Sequence, residues 1–418
     1  AVTVDGGATL DAGRITIESG GALGVRDTGS AVHVVQGVFN HGDWQMSGAS
    51  ILSAESFDNF TTLGIAGGAS ATANSMINHA GAGAVVTGAG SALVIHGDLT
   101  NDGSVEVKAG GELNTHSIDN NSSMVVDQGR VQTDSQLNDG SLKVSGVNAH
   151  YQAEHVVTHR GTIEVLSGAT ANIATVDNHA SFKVDGAHLD AQNFNNDTDG
   201  SLSLSNGATV SFGEALSASR FGITIDGVQA HMDTVKFQQL AGFTAINGGA
   251  LGASDAFGVQ FAGGELRGNG SIDGRLVLSA SGVLTPGDAN DETGEFDVAA
   301  GLDLLGGTFA VDLGGTARAD YDVLDVHGAA HLGGTLKVSL LSGFVPVLGD
   351  AFEIILADSI SGAFGAMLLP TLGDGLKFTT INTGSFFRLQ VAAVPLPAPA
   401  LLLGGALGVL GWASRRRA

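Results

Sequence analysis

The sequence predicts an all-β chain, a parallel β-helix (solenoid) of about 19-residue coils, and three observations carry that prediction. A unit opening on an apolar residue, which is expected to face the interior, recurs at Phe39, Phe57, Ile77, Leu99, Ile118, Leu137, Val157, Val176 and Phe194, at spacings of 18–22 residues. Most units then alternate apolar and polar residues over a short run, and a glycine closes that run almost at once. Repetition at this period is the mark of stacked solenoid units.

The alternating runs, such as SVEVKAG, SLKVSG and TIEVLSG, have the two-residue period of a strand. It puts Val105 with Val107, Leu142 with Val144, and Ile163 with Val165 on one face. Gly110, Gly146, Gly168, Gly186 and Gly207 come next, at turns that need positive φ or a close backbone approach. A second, weaker strand such as ATANIAT (169–175) or AHLDAQN (187–193) completes the unit. One unit cannot bury its own apolar face, whereas stacked coils hydrogen-bond to their neighbours and align like residues in columns. At ~4.8 Å per coil, nine units would span roughly 40–45 Å.

Behind each leading apolar residue stand Asn, Asp or His: FNHG, FDNF, INHA, LTND, IDNN, LNDG, VTHR, VDNH and FNND. A ladder of side-chain amides bonding coil to coil is one reading. A metal column of His41, His79, His159 and His179 is the other. The mixture with Asn and Asp favours the ladder, because a metal needs ligands converging within about 2–2.6 Å of one ion. No tandem calcium nonapeptide GGxGxDxU is present. Folding without a metal or any other cofactor is therefore expected.

Composition agrees. Glycine contributes 64 of 418 residues and proline only 6, which suits many short strands and tight turns rather than a disordered linker. The net charge of −24 argues against nucleic acid as a partner, since phosphate binding needs a cationic surface. The absence of cysteine excludes disulfides and thiolate chemistry. The chain opens AVTVDGGATL, strand-like from the start, so a mature or trimmed beginning is expected.

Past residue 210 the repeats loosen but continue. Leu266, Gly268, Gly270, Ile272 and Gly274, then Gly282, Leu284, Pro286 and Gly287, lie in a glycine-cornered alternating segment. It resembles the passenger-type repeats of autotransporters and related surface β-helices. The phrase LGGT occurs three times, at 305–308, 313–316 and 332–335, and residues 321–358 look like the closing strands of such proteins. Residues 1–300 read as β-helix repeats and 301–391 as the last coils and a β cap. Phe344, Phe352, Phe364, Phe378, Phe386 and Phe387 are expected to seal the end, where open strand edges would otherwise be left unpaired.

No catalytic constellation is visible. GxSxG, HExxH and GxxxxGK[ST] are absent, and two Trp and two Tyr are few for a sugar-stacking cleft. The acidic groups Asp288/Asp291/Glu292 and Asp320/Asp322/Asp325 read as solvated turn carboxylates rather than as an acid–base pair. The expectation is a protein that is not an enzyme; a secreted polysaccharide-active β-helix enzyme is the alternative.

Residues 392–418 are of another kind. Pro395, Pro397 and Pro399 precede the uncharged run ALLLGGALGVLGWA (400–413), and Arg415, Arg416 and Arg417 close the segment. Fourteen helical residues reach roughly 21 Å, a marginal transmembrane helix, and the arginines fit the positive-inside rule as a membrane stop. The segment resembles the PEP-CTERM class of sorting signals, closest to its VPLPA-type variant, which Val394, Pro395, Leu396, Pro397 and Ala398 match. Leu396 departs from the parent family, which has an acidic residue there.

The resemblance implies a Gram-negative source and export to a transient inner-membrane intermediate. It further implies cleavage by an exosortase-type membrane protease and delivery to the cell surface or extracellular matrix, with exopolysaccharide as a matrix partner. That address in turn implies a structural or adhesive role, as in a biofilm. An autotransporter passenger would instead be joined to a β-barrel of alternating strands.

Overall fold

The computed structural model describes residues 1–394 except 159, 219, 288–292 and 342. Its strands form one continuous 37-stranded sheet, wound as a parallel β-solenoid of about 14 turns with coils of about 21 residues. The coils are slightly longer than the sequence repeat because some corners carry extra residues. Equivalent asparagines are 18 or 19 positions apart in most coils but 23 apart between Asn78 and Asn101.

Through the central coils each turn uses one five-residue and one nine-residue strand, as in Ser104–Lys108 and then Glu112–Asn120. Each strand pairs in parallel with its counterpart in the next coil, Val105 opposite Met124 and Leu113 opposite Val131. The short strand alternates simply, and Val105, Val107, Leu142, Val144, Ile163 and Val165 are all buried as the alternation requires. The nine-residue strand slips phase once. In Glu112–Asn120 the inward residues are Leu113, Thr115, Ile118 and Asn120, so His116 and Ser117 are consecutive residues outside the core.

That slip turns the chain, giving each coil three faces. Register irregularities fall at the same place in the neighbouring strand, between Ile95 and Asp98. Thr115 Oγ1 fastens the corner, sharing its proton between the carbonyls of Gly97 (3.1 Å) and Ser117 (2.9 Å). The turn into the nine-residue strand needs left-handed backbone, and Gly110 (φ 86°) and Gly168 (φ 80°) supply it.

The last inward position of the long strand carries the polar ladder. Asn40, Asn59, Asn78, Asn101, Asn120 and Asn138 are all fully buried. Along this run each Nδ2 up to Asn120 donates one proton to the Oδ1 of the next asparagine, as Asn101 does to Asn120 (2.8 Å) and Asn120 to Asn138 (2.7 Å). The other proton goes to a backbone carbonyl of a short strand, Ser123 for Asn101 and Ser141 for Asn120. Thr158 interrupts the run, and its buried Oγ1 has no hydrogen-bond partner. The ladder resumes from Asn178 to Asn196 at 2.9 Å.

The ladder corrects the phase read from the sequence. The inward apolar residue stands two positions before the asparagine, not at the head of each unit. Leu99, Ile118, Val176, Phe57 and Phe194 satisfy both descriptions and are buried. At Phe39, Ile77, Leu137 and Val157 the inward residue is the preceding one: Val38, Met76, Gln136 and Val156. Gln136 is tolerated inside because the buried Tyr151 hydroxyl donates to its Oε1.

The far end changes from parallel to antiparallel pairing. Strand Phe386–Ala393 runs antiparallel to both Ala351–Gly362 and Leu376–Asn382. Phe352 is the hub beneath it, with edge-to-face contacts to Tyr321 (5.4 Å), Phe344 (6.0 Å) and Phe378 (6.2 Å). Phe364 and Phe387 form a second pair at 5.2 Å.

Two substitutions separate the two phases. Ile118→Asp puts an unpaired charge in the stack and is expected to cost several kcal/mol. Leu137→Asp faces outward and is expected to cost about 1 kcal/mol or less. Thermal melts monitored by circular dichroism check the pair, and equal losses would refute the inward phase assigned by the ladder.

Candidate functional surfaces

The metal column expected as the minor reading does not form among the described residues. The position after each ladder asparagine faces out. His41, Phe60 and His79 stack there as flat rings, with centroids 4.1 and 3.9 Å apart and nearly parallel planes. Farther along, Asn121 donates to Asp102 (3.0 Å), and His179 pairs with Asp197 (3.4 Å). His159 lies outside the described residues. No group of three or more His, Asp or Glu among the described residues is placed to hold a metal ion.

The same face holds a cavity of about 510 Å³ around Asp177, His179, Asn195 and Asp197. Asp177 accepts from Asn195 (2.7 Å) and meets His155 Nε2 at 2.8 Å. Burial alone would push its carboxyl up. The two hydrogen bonds and the nearby histidine charges outweigh that and hold it below the usual carboxylate range.

A second concave feature runs along the solenoid instead of sitting in one coil. Successive coils place Val94, Asn114, Gln132, Gln152, Asn172 and Asp190 opposite one another in one outward column. The column continues through Ser211 and Asp233. Three cavities of about 400, 530 and 400 Å³ lie along it end to end. Nothing in the amphipathic pattern announces this groove, because it arises from the corner in the long strand.

One carboxylate departs from the sequence reading. Of the three acids Asp320, Asp322 and Asp325, Asp320 is exposed, and Asp325 lies 3.2 Å from Arg318. Asp322 is completely buried. Its two oxygens accept from the backbone N–H of Gly294 (2.9 Å) and Asp312 (2.8 Å), tying three segments together. A buried acid is satisfied here by backbone donors, which no local pattern reveals. Asp288, Asp291 and Glu292 lie outside the described residues.

The sorting-motif positions Pro395, Leu396, Pro397 and Ala398, and the membrane-stop residues Arg415, Arg416 and Arg417, lie outside the described residues. So does the run expected to form a transmembrane helix. Among the described residues no helix is long and apolar enough to cross a membrane. Val394 is described. It stands directly after the last strand, is 48% exposed, and its N–H donates to the Gly375 carbonyl at 2.7 Å.

No protein-family model matches the chain, and no curated protein matches it.

Burial pushes the Asp322 carboxyl up to about 8, against the opposing effect of its two backbone donors. The folded state therefore holds this proton more tightly than the unfolded one. The resulting stability is fully present below about pH 4 and is lost as the pH rises through about 8. Asp322→Asn is expected to flatten that fall, read as the difference in Tm between variant and wild type from pH 5 to pH 9. A constant difference across the range would show that Asp322 is not protonated in the folded state.

Proposed function

We infer that the chain is an exported, non-enzymatic surface or extracellular-matrix protein, structural or adhesive in role, released from a transient membrane anchor by an exosortase-type protease. The observation that carries this reading is the position of Val394. The motif Val394–Ala398 begins at the surface, at the residue directly after the last described strand. The residue before a proline is biased toward extended backbone, which is the conformation a protease needs in its substrate.

The rest of the tail divides the work. The apolar run at 400–413 is short for a permanent span and contains four glycines, which suits a temporary anchor. Arg415, Arg416 and Arg417 would stop translocation, because moving them through hydrocarbon costs several kcal/mol. A long β-solenoid is a reasonable cargo for such a signal. Its backbone hydrogen bonds are internal to the stack, so cysteine is not needed to stabilise it outside the cell.

Mass spectrometry of protein recovered from the cell surface tests the assignment. The mature chain is expected to lack Trp412 and the arginines and to end near residue 398. Replacing Pro395 and Pro397 with Ala is expected to leave full-length chain in the inner membrane. Surface protein that still ends in Arg415–Ala418 would overturn the reading and make the tail a permanent anchor.

A further inference from the structure

We propose that the groove running along the Asn114–Asp190 column binds a linear polysaccharide without acidic groups, laid parallel to the solenoid axis. The inference rests on the surface role above and names the class of matrix component that role would engage.

Shape is the first argument. The three cavities are not separate pockets: the second and third share Ser211, Phe212 and Val235, and Gln132 of the first is paired with Gln152 of the second. From Val94 to Asp273 the register advances coil by coil, so at ~4.8 Å per coil the groove extends roughly 40 Å. A cleft of that length fits an extended polymer better than a compact ligand. Its repeat is comparable with the length of one hexopyranose residue.

The lining chemistry is the second argument. Inside the stack the ladder amides are partnered, whereas outside it the side chains of Asn114, Gln132 and Asn172 make no hydrogen bond within the described protein. Each carries two N–H donors and a carbonyl acceptor, which match the hydroxyls of a sugar. They recur at coil intervals, so one polymer chain can meet the same group repeatedly.

Charge selects the class. Asp134, Glu154, Asp190, Asp233 and Asp273 line the groove, and among the described residues no lysine or arginine does. Two imidazoles, His96 and His116, also line it, and His116 is bonded to Asp134 at 2.7 Å. A polyuronate would meet like charge along the whole length, while a neutral or amine-bearing glycan can donate hydrogen bonds to the carboxylates.

Among the described residues no aromatic side chain is exposed in the groove; Phe212 lies buried beneath its floor. Each sugar contact is then weak, and affinity must come from their number, so a ligand of about a dozen sugars should bind about 10²-fold more tightly than a trisaccharide.

The test is calorimetric titration of the purified full-length chain with neutral glucan oligosaccharides of graded length, with partially deacetylated chitin oligosaccharides, and with polygalacturonate. Affinity rising with length for either of the first two, no binding of the third, and loss of binding in Asn114→Ala/Gln132→Ala/Asn172→Ala at unchanged Tm are expected. Lys143→Ala, on the short-strand face, serves as the control and should leave binding intact. Absence of length-dependent binding, preference for the polyuronate, or full binding by the triple variant would overturn the proposal. None of these outcomes depends on processing of the tail, so failure of the groove and failure of the sorting assignment are read separately.

Discussion

The buried asparagine ladder is the constraint around which this solenoid is organised. A carboxamide buried without partners would cost a few kcal/mol per coil, so the position is tenable only if its donors find acceptors. Asn101 and Asn120 show the solution: one proton to the next asparagine, the other to a backbone carbonyl of a short strand. Satisfying both bonds requires adjacent coils to stand in register and the short strand to start at a set height. The ladder therefore couples two of the three faces of each coil and fixes the phase of the third.

The effects of that register are visible inside and outside the stack. Inside, like positions meet, as where buried Leu99 lies opposite buried Ile118 in the next coil. Outside, any residue type repeated at one position becomes a column. One column is the stacked His41–Phe60–His79 ring series. Another is the amide-lined groove, which exists because the phase slip in the nine-residue strand bends the coil. The interior thus sets the spacing, while the exterior carries chemistry that packing does not dictate.

Much of the fold is legible in the sequence. The repeat, the strand alternation and the glycine turns all survive in the structure, at Val105 and Val107 and at Gly110, for example. The error of one residue in phase comes from treating hydrophobicity as the guide. At Leu137 an apolar side chain faces out while Gln136 faces in, because Tyr151 and the ladder satisfy the glutamine amide. Hydropathy cannot register a partner supplied by the next coil. The same holds for Asp322, whose backbone donors come from segments 10 and 28 residues away. The ladder is one of the two readings that the Asn, Asp and His positions allow. The groove is not legible in this way, since it depends on which outward residues the corner brings into one line.

The gap at Thr158 offers the most direct test of the ladder. Asn138 turns its spare proton to Gly140 (3.1 Å), and Asn178 accepts only a long contact from the Ala180 N–H (3.4 Å). Thr158→Asn places an amide where the series lacks one, able to bridge Asn138 and Asn178 and to relieve the unpartnered hydroxyl. Differential scanning calorimetry of this variant should show a raised Tm, corresponding to about 1 kcal/mol for the hydrogen bonds regained. An unchanged or lowered Tm would contradict the account, because a buried amide in register with its neighbours would then contribute nothing to holding the coils together.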